Sequence, residues 1–168
     1  MTQHRTIFIT DCLATETARL LDSFARLHPS EGVVYWFGIE SADCAVVTSL
    51  IVPDADTSHG CIRTTVEANA LAVAATVNTP LVYLGQAHSH PGSSVAHSSI
   101  DDTETFARFD GAISVVIPWF GRYGFNLEDC GVYRHLDGRF RPVKQVHSHL
   151  RIIPGALDFR RKAAGEER

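Results

Sequence analysis

The stretch HSHPGSSVAHSSIDD, residues 88–102, crowds three histidines, five serines and two adjacent aspartates into fifteen positions. It follows an apolar run over 81–87, which Asn78-Thr79-Pro80 closes off upstream and which reads as a buried strand. Residues two apart on a strand share a face, so His88 and His90 aim both imidazoles at one point while Ser89 faces away. Pro91-Gly92-Ser93-Ser94 must leave that strand as a turn or loop. Helix is expected to resume at Ser98 or Ser99 and to last to about Phe109. Ser98-x-x-Asp101 has the serine-then-acid spacing of a helix start, but Ser99 and Asp102 fit the same template, so capping leaves two frames open. Two neutral imidazoles suit zinc, which takes about four ligands at roughly 2.0–2.2 Å from nitrogen or oxygen. A catalytic zinc site draws three of these from protein and leaves a place for water. The third protein ligand should follow the turn, where His97, Asp101 and Asp102 are the candidates.

Outward from this segment, strands alternate with helices. Thr6–Thr10 reads as a short first strand, and 14–27 as an amphipathic helix with Ala18, Leu20, Leu21, Phe24 and Leu27 at helical spacing, stopped by Pro29 and Gly32. The runs 33–39 and 45–52 suggest a hairpin. Residues 53–60 read as irregular loop and 65–77 as an alanine-rich helix. Beyond the histidine segment, 112–117 is expected as a strand, and 130–136 pairs with 140–143 across Asp137-Gly138. The architecture expected is a single α/β domain with a mixed sheet over residues 1–153, then an extension over 154–168 whose charged end, 160–168, frays.

The bulk numbers narrow the function classes. A chain of 168 residues with 45% hydrophobic and 20% charged content is that of a globular domain with a core of its own. Net charge is −4 and the basic residues are scattered apart from Arg160-Arg161-Lys162, which argues against nucleic acid or an anionic membrane as partner. No apolar run approaches the roughly 18 residues of a membrane helix, and the N-terminus does not read as a signal peptide. Four separated cysteines, Cys12, Cys44, Cys61 and Cys130, exclude a zinc ribbon and suit reduced, mostly buried thiols in a cytoplasmic protein. A Cys61–His59 nucleophile pair has only sequence proximity behind it.

A second His-Ser-His stands at 147–149, followed by Leu150-Arg151-Ile152-Ile153. It lacks a serine-plus-acid helix start behind it. It reads as exposed polar residues ahead of a docking apolar segment.

His88-x-His90-Pro91, six residues, then Ser98-x-x-Asp101 resembles the signature of the JAMM zinc metallopeptidases, the catalytic branch of the JAB/MPN domain. The upstream glutamate of that pattern matches Glu31, with Gly38 seven residues on. Val34 departs from the glycine of many members, a matter of packing. The resemblance covers roughly 14–136 and implies a cytidine-deaminase-like α/β fold with a mixed, curved sheet flanked by helices. It selects His88, His90 and Asp101 as ligands of one catalytic Zn2+, leaving His97 as a neighbour at the rim. It makes Glu31 the general base and Ser98 a hydrogen-bond donor to the tetrahedral intermediate. Glu40 and Glu67 do not fit the family position.

The resemblance further implies a stand-alone bacterial-type isopeptidase or processing peptidase acting on the C-terminal glycine of a ubiquitin-like modifier. Its partners would be that modifier and its conjugates, with E1-like and E2-like proteins of one system, some of which serve antiviral defence. The other enzymatic reading is release of a sulfur-carrier protein. A scaffold MPN domain would have a broken motif. Residues 53–61 and 119–129 are the expected substrate-facing segments.

Overall fold

Residues 33–38, Val-Val-Tyr-Trp-Phe-Gly, are buried on both sides, which only a strand covered on two faces allows. In the computed structural model, which describes residues 5–26, 28–58, 60–103 and 105–157, they form the middle of strand β2 (Val33–Glu40). β2 pairs antiparallel with β3 (Cys44–Ile51), the expected hairpin, and with β6 (Val82–Ser89). Alternate residues of β2 serve two cores. Val34 and Trp36 pack with Ala14 and Leu21 of helix α1 (Asp11–Ala25), while Val33 and Tyr35 share a cluster with Ala72 of helix α2 (Val66–Ala74). The two helices therefore cover opposite faces. The buried Trp36 indole donates to Thr17 Oγ1 on α1 at 3.2 Å, so the polar atom that burial would orphan is paired.

The full sheet runs β10-β1-β3-β2-β6-β7-β8-β9, with β1 (Thr6–Thr10), β7 (Ile113–Ile117), β8 (Gly131–Leu136), β9 (Arg139–Pro142) and β10 (Leu150–Ile153). It is mixed: β1 is parallel to β3 and β10, and β6 is parallel to β7. A bulge between Phe37 and Gly38 breaks the β2–β3 register. A side chain at Gly38 would run into the Val46 carbonyl, so the close approach there requires glycine. The β8–β9 turn uses Asp137 and Gly138, both at positive φ (50° and 80°), as a tight hairpin demands.

Several boundaries depart from the sequence expectation. α1 starts three residues earlier than position 14, because Thr10 Oγ1 accepts the Leu13 N–H and caps it; Leu27 lies outside the described residues. The expected irregular loop 53–60 contributes a strand: β4 (Ala55–Ser58) and β5 (Cys61–Thr64) form a separate hairpin, with Thr57 opposite Ile62. The helix expected to reach Phe109 is only α3 (Ser99–Thr103). The Thr105 hydroxyl takes the Asp101 carbonyl at 2.6 Å, and Phe106 turns to stack on Tyr35 at 4.7 Å. The thiols are less hidden than expected: Cys12 is exposed, and Cys44, Cys61 and Cys130 are half-buried. His59, and the tail from 158 on, lie outside the described residues. Among those described, no helix is long and apolar enough to cross a membrane.

Candidate metal centre

β6 carries His88, and its backbone continues past the strand end to His90. His90 N–H donates to Ile117 O (2.9 Å) and its carbonyl accepts from Phe120 N–H (2.8 Å), so the extended path that aims both rings to one side is pinned from both flanks. His90 Nδ1 lies 3.0 Å from the Ser94 carbonyl; a carbonyl only accepts, so Nδ1 donates and the lone pair of Nε2 is left able to ligate a metal. The third group comes from α3. Asp101 N–H donates to Ser98 Oγ (3.1 Å) and Asp101 Oδ2 accepts from Ser98 N–H (2.6 Å), a reciprocal capping box. This fixes the Ser98–Asp101 frame over the Ser99–Asp102 alternative.

The three side chains converge. His88 Nε2 is 3.4 Å from Asp101 Oδ1 and His90 Nε2 is 3.5 Å from Asp101 Oδ2, and one ligand atom of each residue lies within 4.8 Å of the others. Ligands about 2.1 Å from a tetrahedral ion stand about 3.4 Å apart, so the spacing fits a small cation. An independent sign is His88 itself: it is 2% exposed and neither ring nitrogen has a hydrogen-bond partner among the described residues. A buried imidazole so left is costly unless something else takes its lone pair. The donor set, two neutral imidazoles and a carboxylate, suits a metal of the zinc type.

Glu31 lies just ahead of β2, where Val33 pairs with His88, and is 5% exposed. Burial pushes its carboxyl from 4.5 up to about 7; the nearby His90 works against this and Asp101 adds to it. For Asp101 burial also disfavours the charge, yet the imidazoles of His88 and His90 and the Ser98 amide outweigh it and hold the carboxyl well below its ordinary range. His90 shifts upward: burial opposes its charge, but the carboxylates of Asp101 and Glu31 prevail.

Ser89 keeps the side expected of it and gains a role there, whereas His97 departs from its sequence reading. Ser89, which faces away from the metal point, is fully buried and clamps the backbone next to Glu31: Gly32 N–H donates to Ser89 Oγ and Ser89 N–H to Gly32 O, both at 3.0 Å. The Ser-between-His spacing places it on that side, but only the neighbouring strand shows what it holds. His97 is no rim residue. Its side chain is 5% exposed, with Nδ1 2.8 Å from Asp102 Oδ1 and Nε2 2.9 Å from Ser114 Oγ, so it has no nitrogen free to ligate. Burial lowers its pKa despite Asp102. The second triplet stays apart from this cluster. His147 and Ser148 are exposed in a single 3-10 turn, and His149 Nδ1 faces the Arg134 guanidinium at 3.1 Å, a neighbour that repels a cation.

A narrow cleft opens beside the cluster, between His88 and Asp101 on one side and Ile62 and Thr64 of β5 on the other. The expected substrate-facing segment 53–61 thus stops just short of the residues that line it.

No family profile matches the chain. A probable metalloprotease of Sinorhizobium fredii is 30% identical over 128 residues, 74% of this chain and 77% of that protein. The chain belongs to the JAMM family of metalloproteases. The fold agrees with solved structures at low identity. A protein from Desulfitobacterium hafniense is 16% identical with a TM-score of 0.65, covering 89% of this chain and 94% of that one. A protein from Salinibacter ruber is 18% identical with a TM-score of 0.57, covering 89% of this chain and 94% of that one. Within a JAMM protein, the curved mixed sheet has a plain use: it sets the end of β6, the entry to β2 and the start of α3 side by side.

Proposed function

We propose that this JAMM metalloprotease is a zinc-dependent isopeptidase or processing peptidase that hydrolyses the bond after the C-terminal glycine of a ubiquitin-like modifier. The observation that carries the reading is the convergence of His88, His90 and Asp101 beside a buried Glu31. These three residues would hold the zinc ion, which lowers the pKa of water and polarises a carbonyl when bound. Glu31, raised toward neutrality, takes the proton of the attacking water and passes it to the departing amine. Ser98 is exposed and its oxygen already accepts the Asp101 N–H, which leaves its own hydrogen to donate to the oxyanion. Amide hydrolysis by this route needs no covalent intermediate and hence no cysteine or serine nucleophile.

The cleft beside His88 is narrow and partly apolar, which suits an extended chain end with small residues; glycine lets the backbone come close to the reacting atoms. The partners would be the modifier, its conjugates and the E1-like and E2-like proteins that make them, in a cytoplasmic conjugation system of the kind used in antiviral defence. The test is cleavage of ubiquitin-like fusions ending in Gly-Gly, followed by mass spectrometry, with zinc measured in the same samples. Glu31→Gln should keep one zinc and cleave nothing, whereas His88→Ala and Asp101→Ala should lose the metal. Cleavage by Glu31→Gln at the wild-type rate would overturn the base assignment; a fusion panel left intact by zinc-loaded wild-type protein would overturn the substrate class.

A further inference from the structure

The helix that supplies the Asp101 carboxylate is poorly anchored. α3 has five residues, none of them buried, so no apolar face docks it to the sheet. What ties it down is polar, and the principal strut is His97. Its ring is fixed at both nitrogens: Asp102, on α3, accepts from Nδ1, and Nε2 then takes the hydrogen of Ser114 Oγ, a fully buried residue of β7. The ring lies 4.2 Å from that of Tyr133 on β8, between centroids, and the Tyr133 hydroxyl receives His97 N–H (3.1 Å) and donates to Val95 O (3.0 Å). His97 also stands edge-on to His88, 5.5 Å between ring centroids, and so blocks one direction of swing for that ligand.

We propose that His97 is a positioning residue: clamped between β7 and α3, it holds the Asp101 carboxylate and the His88 ring at the metal point. This role rests on His88, His90 and Asp101 holding a metal, and it falls to a residue that the motif leaves unspecified, since His97 lies within its spacer. Partners behind metal ligands typically contribute about 10- to 100-fold in metal affinity.

The test compares wild-type protein with His97→Ala, His97→Asn and His97→Gln. Zinc affinity is measured by chelator competition, the visible spectrum is recorded with Co2+ as the probe, and apo-protein melting is followed by circular dichroism. His97→Ala should weaken zinc about 10- to 100-fold and alter the cobalt spectrum at temperatures where the apo-protein is folded. The asparagine amide nitrogen falls near the place of Nδ1 and can still donate to Asp102, so His97→Asn should recover part of the affinity. His97→Gln, reaching toward Ser114 instead, should recover less. A lowered melting point with wild-type zinc affinity and spectrum would show a purely structural residue and overturn the proposal. If His97→Ala fails to fold, Ser114→Ala and Asp102→Ala are read in the same measurements, and unchanged affinity in both would overturn it equally. Wild-type protein that takes up no stoichiometric zinc or cobalt would defeat the metal reading itself; wild-type uptake with unaffected variants defeats this proposal alone.

Discussion

Removing the metal should make the buried Glu31 a measurable burden on the fold. The side chain is 5% exposed and its carboxyl is pushed from 4.5 up to about 7, chiefly by burial. A raised carboxyl means that between these two values the folded chain keeps a proton that the unfolded chain has released. Stability therefore falls as pH rises through this window. The contribution is fully present below about 4.5 and gone above about 7. Converted at about 1.4 kcal/mol per pH unit, the shift corresponds to about 3 kcal/mol at most. Glu31→Gln carries no charge and should escape the loss. In urea titrations of EDTA-treated protein, the variant should match the wild type near pH 4.5 and exceed it by up to about 3 kcal/mol near pH 8. Asp101, whose carboxyl is lowered, acts in the opposite sense in more acid solution and is common to both proteins. Midpoints that run parallel for the two proteins from pH 4.5 to 8 would refute the claim that Glu31 is desolvated.

Two further outcomes follow from residues around the site. Ser89→Ala removes the oxygen that accepts the buried Gly32 N–H and should lower stability by about 1–3 kcal/mol, read as a shift in urea midpoint, because that amide is left unpaired. Burial, and secondarily the nearby Asp129 carboxylate, push the Cys130 thiol up to about 12, so it should resist iodoacetamide at pH 8.5 in the native protein, as peptide mass spectrometry after a timed quench would show.

The local sequence was enough for the parts that depend on period and spacing. Alternation along β6 put His88 and His90 on one face, and the apolar runs located β1, β2, β3, β7 and β8 to within a residue or two, because side-chain direction on a strand follows from chain geometry alone. Local composition misjudged elements governed by competing contacts. α3 ends early because Thr105 captures a helix carbonyl and Phe106 is drawn to Tyr35, and the segment 53–60 gains a strand through pairing with 61–64.

Between His97, Asp101 and Asp102, strand geometry could not choose, and the capping frame was open as well. The family pattern favoured Asp101, and the fold shows why: Asp102 and His97 satisfy each other, with Ser114 completing the ring's bonds, while the Ser98 box turns Asp101 toward His88. Likewise, the amino-acid order names Glu31 and Ser89 as an acid and a serine fifty-eight positions apart. Pairing of β2 with β6 makes them neighbours, and burial beneath that pairing raises the carboxyl toward neutrality. Residue types and their periodicity are written in the chain; which lone pairs remain unclaimed, and how much water each group keeps, depends on segments far away in sequence and is settled only when the sheet closes around them.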